Sequence, residues 1–202
     1  MLELFHKGGP IMWPLLAASL VSSTVVIERL LFIVRERRRR RPELVSKLLT
    51  LVEQGDMRGA IRVGQDCSDF VVRTLVDGLK HRERSFSSAL LRAANQELQR
   101  FSQGLPVLDT IITLAPLLGL LGTVTGMIHA FGMLGGRELA APTVITGGIA
   151  EALIATAFGL SIAIISLLPF NYLTARLEEA RHEVEDASTH LELLLIEPTG
   201  KR

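Results

Sequence analysis

The sequence predicts an all-α integral membrane protein. It has three transmembrane helices, an external N-terminus, a helical cytoplasmic domain between the first and second spans, and a cytoplasmic C-terminal helix. Three observations predict it. The 202 residues are 48% hydrophobic, and the 21% that are charged gather in blocks. Between those blocks run uncharged stretches near the roughly 20 residues that a bilayer demands. Basic residues cluster at one set of ends of these stretches, as the positive-inside rule requires of cytoplasmic ends. A mean hydropathy of +0.35 exceeds that of an ordinary soluble domain. The net charge of +1 carries little information, because position matters more than sum here. The one cysteine, Cys67, excludes an internal disulfide, has no metal-site spacing around it, and reads as a small apolar residue in a reduced compartment.

Residues 1–9 (MLELFHKGG) form a short external N-terminus, with Leu4 and Phe5 as an amphipathic turn at the membrane surface. Residues 10–34 form the first membrane helix. Positions 10–27 contain no Asp, Glu, Lys or Arg, and the apolar run resumes after Glu28 and Arg29. Trp13 suits the interface at its start. A cleaved signal peptide is the competing reading, but the basic flank follows the apolar run instead of preceding it. That flank is Arg35 and then Arg37, Arg38, Arg39, Arg40 and Arg41, the cytoplasmic anchor of the topology. Membrane lipid headgroups are its expected contact, and nucleic acid is not, because no other basic surface accompanies it.

Residues 35–104 read as a cytoplasmic helical domain. Leu44, Leu48, Leu51 and Val52 recur at helical spacing until Gly55 and Asp56 break the pattern. Amphipathic stretches follow around 60–63 and over 70–79. A longer one over 86–101 places Leu90, Leu91, Ala94, Leu98 and Phe101 on one face and Arg92, Gln96, Glu97 and Arg100 on the other. Residues 105–134 form the second membrane helix, in which His129 is the only possible charge after Asp109. An external loop over 135–141 carries one basic residue, Arg137. Residues 142–174 form the third membrane helix, apolar except for Glu151. Residues 175–202 form a cytoplasmic C-terminal helix and tail, opening with Arg176, Glu178, Glu179 and Arg181. Arg100, Arg176 and Arg181 mark the inside ends against Lys7 and Arg137 outside.

Glu151 breaks the rule of its helix. A carboxylate in a membrane helix costs roughly 2.5 kcal/mol or more, so it faces water or a partner. One reading is a polar group lining a pore. The other is a residue near the outer mouth that pairs with a basic group at a subunit interface. With the turn near Glu138, Thr123 lies 15 residues before it, and Glu151 and Thr156 lie 13 and 18 after it. At about 1.5 Å per residue, antiparallel helices then place Thr123 between Glu151 and Thr156 in depth. Gly119, Gly122 and Gly126, with Ala155 and Gly159, supply small faces for close helix packing. His129 reads as a mouth-side or interfacial residue before it reads as a proton carrier. No phosphate loop, paired catalytic carboxylates, Ser/His/Asp arrangement or metal cluster is visible, so neither catalytic residues nor a cofactor is expected.

Two motifs carry a family resemblance. LAPLLGLLGTV at 114–124, followed by Gly126, Met127, Ile128 and Phe131, resembles the second-helix signature of the ExbB/TolQ branch of the ExbB/TolQ/MotA proton-channel family. GIAEALIATAFGL at 148–160 is similar to that branch's third-helix signature. The flagellar stator branch, usually of four spans, fits less well. The resemblance implies a homopentamer in a bacterial inner membrane, its second and third helices lining a central pore. That pore holds the single membrane helices of an ExbD/TolR-like dimer, and proton flow drives a TonB- or TolA-like protein. Thr123, Glu151 and Thr156 are the residues it implies for the polar pore ring. A threonine hydroxyl orients water but neither takes up nor releases a proton at ordinary pH, so a stepwise relay needs a titratable group beyond Glu151. The resemblance supplies it as an aspartate of the partner helix. The alternative is a non-conducting oligomeric membrane scaffold, which has no need of Glu151.

Overall fold

The computed structural model describes residues 8–132 and 142–196, without the side chains of 82–84 and 142–145. The loop expected over 135–141, with Arg137, and also Lys7 and the last six residues lie outside the described residues. All elements among the described residues are helices: α1 (Met12–Arg39), α2 (Pro42–Glu53), α3 (Met57–Gly64), α4 (Phe70–Lys80), α5 (Arg82–Ser102), α6 (Leu105–Gly132) and α7 (Pro142–Ile196). Three of them, α1, α6 and α7, contain stretches long and apolar enough to cross a membrane.

Local chemistry sets the boundaries. Proline at the first turn opens α2, where its missing N–H costs nothing. Gly55 follows α2 at φ +82°, a left-handed conformation that suits glycine, and Asp56 then caps α3 by accepting from the Gly59 N–H at 2.8 Å. Asp69 caps α4 through the Val71 N–H at 2.9 Å. Within α5, Ser85 is extended (φ −170°, ψ 83°), so the regular helix begins at the Phe86 that opens the amphipathic pattern. Gly104, at φ +78°, turns the chain into α6. The helix assignment continues from the third apolar stretch into the C-terminal segment: α7 runs 55 residues through position 175, where apolar residues give way to charged ones, and it accommodates Pro169 with the loss of one backbone donor.

The chain divides into two compact units. One comprises the chain up to Arg29 together with Gly104–Tyr172, and the other comprises Leu30–Gln103 and the chain from Leu173 onward. In the second, α4 is the central element, burying Phe70, Val71, Val72, Leu75, Val76 and Leu79. Gly64 of α3 lies against Val72 and Val76. Phe101 stacks edge-on with Phe32 and Phe70 at centroid distances of 5.3 and 5.0 Å. Asp69 is fully buried and accepts from the Arg40 guanidinium and the Arg41 N–H as well as capping α4. Glu36 is buried too, with the Arg73 guanidinium 3.9 Å away. Burial holds the Glu36 carboxyl above the usual carboxylate range, although Arg100, Arg73 and Arg39 pull the other way.

The first unit is built from the start of α1, all of α6 and the apolar part of α7. Met12, Leu15 and Ala115 form its buried cluster, joined by Ile11, Leu118, Phe158 and Ile162. Ser22 of α1 and Ser166 of α7, both buried, share a hydrogen bond of 2.6 Å. Large apolar side chains such as Leu20, Ile128, Ile165 and Leu168 stay exposed, each above 60%. An outward face of that composition is a poor match to water and a good match to hydrocarbon.

Candidate functional site

The site grows from the contact of α6 with α7. Gly119, Gly122 and Gly126 recur near every turn of α6, so one face of that helix has no side chains and α7 approaches its backbone. A Cβ on Gly122 would fall 2.5 Å from the Ala155 Cβ, and one on Gly126 would fall 3.1 Å from the Ala152 Cβ. A Cβ on Gly119 would meet the Thr156 Cα at 3.0 Å. In the other direction, a Cβ on Gly159 would strike the Ala115 carbonyl oxygen at 2.5 Å. The register therefore pairs Gly119 with Thr156, Gly122 with Ala155, and Gly126 with Ala152.

The three polar residues occupy different settings. Thr156 is half-buried, and its hydroxyl donates to the Gly119 carbonyl across the helix contact at 3.0 Å. Thr123 is half-buried and donates within its own helix to the Leu120 carbonyl at 2.6 Å. Glu151 is half-buried and points to the turn before α1: a Cβ on Gly9 would lie 1.8 Å from its Oε1. Helix geometry explains the split between Glu151 and Thr156. Five residues are about 1.4 turns, which leaves the two side chains roughly 140° apart around the axis. They are near neighbours in depth and face different elements.

The remaining candidates are plainly placed. Arg37, Arg38 and Arg39 are exposed in the last turn of α1, where cations complement the helix dipole. Arg40 bonds to Asp69 and Glu183, and the Arg41 N–H bonds to Asp69. His129 and Asp109 are exposed on α6. Groups of three or more His, Cys, Asp or Glu able to hold a metal ion do not occur among the described residues. Gly9 and the Ser22–Ser166 pair escaped the sequence reading. The GGP run at 8–10 and hydroxyls in uncharged stretches were their only signals.

Three long apolar helices, two of them packed closely through glycine and alanine, define a multi-pass α-helical membrane protein. Residues 66–186 match the MotA/TolQ/ExbB proton channel family, which takes in α4–α6 and most of α7. A biopolymer transport protein of Synechocystis sp. designated ExbB-like 1 is 37% identical over 201 residues, covering 96% of this chain and 78% of that protein. An ExbB homolog of Methanothermobacter thermautotrophicus is 31% identical over 187 residues, 91% of this chain and 66% of that one. The Tol-Pal system protein TolQ of Haemophilus influenzae is 42% identical over 88 residues, 44% of this chain and 39% of its own. The chain belongs to the MotA/TolQ/ExbB proton channel family.

Proposed function

We propose that this chain is the stator and proton-channel subunit of an inner-membrane motor. With an ExbD/TolR-like single-span partner it uses the proton motive force to energise a TonB- or TolA-type envelope process. The observation that carries the proposal is Glu151, the one Asp, Glu, Lys or Arg between positions 139 and 175, in a half-buried setting on α7. A carboxylate at that position costs free energy that packing alone does not require. The family match and the relatives named for biopolymer transport and the Tol-Pal system support the reading.

In this reading the N-terminus is external, the arginine-rich end of α1 is cytoplasmic, and five copies surround the partner's helices. Thr123, Glu151 and Thr156 belong to the proton pathway with distinct tasks. Glu151 exchanges a proton, and the hydroxyls orient water or hold the α6–α7 register. The partner supplies the second titratable carboxyl, because neither threonine hydroxyl titrates at ordinary pH. Glu151→Gln keeps the volume and removes the charge, so it should abolish proton flux and the energised process while the complex still assembles. Full activity in Glu151→Gln and in Thr156→Val would instead favour a non-conducting scaffold held together by its small-residue faces.

A further inference from the structure

We propose that Gly9 is a positioning residue for Glu151: the turn at 8–10 forms one wall of the seat in which that carboxylate sits. The inference rests on the proton-handling role of Glu151 proposed above. A Cβ on Gly9 would fall 1.8 Å from Glu151 Oε1, 2.8 Å from its Cδ and 3.2 Å from its Cγ. Three atoms of one side chain therefore fill the space that any residue but glycine would need. The backbone is specialised in the same direction, since Gly9 has φ +71°, a conformation that L side chains rarely adopt.

The turn is itself fastened to the helices that carry the candidate pathway. Gly8 is buried, and a Cβ on it would meet Met12 at 2.6 Å and Ile154, one turn of α7 beyond Glu151, at 3.2 Å. Met12 is 2% exposed in the cluster with Leu15 and Ala115, and Ile11 reaches the Gly122 position of α6. The Met12 N–H bonds to the Gly9 carbonyl at 3.2 Å, which ties the turn to the first turn of α1. A shift of α1 at this end thus moves the wall against which Glu151 rests. The first helix, which contributes none of the candidate pathway residues, takes part in the chemistry by setting where the carboxylate sits.

The test uses the full chain in its membrane complex, in a Cys67→Ser background. Gly9→Cys with Glu151→Cys should form a disulfide within one chain on mild oxidation, because Glu151 Cγ, whose place a cysteine sulfur would take, lies 3.2 Å from the Gly9 Cβ position. Absence of that bond in assembled complex overturns the seat. In vesicles with an imposed proton gradient, Gly9→Ala should lower proton flux by up to about a hundredfold, the scale of a 1 Å misplacement of a reacting group. Glu151→Asp, shorter by one methylene, should restore flux in the Gly9→Ala protein above the product of the two single effects. Relief of backbone strain at position 9 cannot produce that rescue, since the strain remains in the double variant. Wild-type flux in Gly9→Ala, or strictly multiplicative effects in the double variant, overturns the positioning role. Wild-type flux in Glu151→Gln overturns the underlying channel reading instead. Should Gly9→Ala fail to assemble, the paired cysteines still decide whether the seat exists.

Discussion

At position 156 a hydroxyl is spent on a neighbouring backbone. The Thr156 bond to the Gly119 carbonyl crosses two membrane helices, and such bonds average about 0.6 kcal/mol in a bilayer. Thr156→Val should therefore leave the assembled complex nearly as stable as wild type, measured as the fraction recovered as one oligomer in detergent. Any large loss of proton flux in that variant then reports on the pathway and not on folding. Glu36 poses the opposite case, a carboxyl whose burial raises its pKa in the folded chain. The folded state then binds a proton more tightly than the unfolded one. Its contribution is most favourable below the unfolded value and declines as pH rises through the folded value. Glu36→Gln should flatten that decline and raise the thermal midpoint above this window, as read by melting curves across pH. Loss of stability at neutral pH would instead make the contact with Arg73 dominant.

Among the helices, the glycines of α6 and α7 are not equivalent. Gly159 faces backbone atoms, the Ala115 carbonyl at 2.5 Å and the Gly119 Cα at 3.1 Å, which cannot swing aside. Gly132 and Gly147 have nothing within 4 Å of a Cβ. Gly159→Ala should then cost about 1–3 kcal/mol, the usual range for overpacking, and lower the yield of intact complex. Gly132→Ala should leave the yield of intact complex unchanged. The small-residue step was legible in the sequence, as was the helix stop at Gly55. Which of several glycines faces backbone was not, because the four-residue step is shared by faces in contact and faces left open. The change from apolar to charged composition near 175 was legible in the sequence, and α7 continues across it for 55 residues because charged side chains do not oppose helix continuation.

For the whole molecule, the proposed relay is incomplete in one chain. The hydroxyls of Thr123 and Thr156 do not titrate at ordinary pH, which leaves Glu151 as the titratable group of the candidate ring. Vesicles containing this chain alone should show little proton flux under an imposed gradient. Vesicles with a partner that carries an intramembrane carboxyl should conduct. Equal flux in both would move the full pathway into this chain.

The sequence by itself determined the three long apolar stretches, the clustering of basic residues beside them, the family motifs and the presence of a carboxylate at 151. Hydropathy and charge sum over consecutive residues, so the linear order already contains them. Only the tertiary structure decided where each group points. Thr156 turns to the Gly119 carbonyl and Glu151 to the empty side of Gly9. Orientation around a helix axis is settled by what the neighbouring backbones leave unfilled, and position 9 is remote from position 151 in the chain.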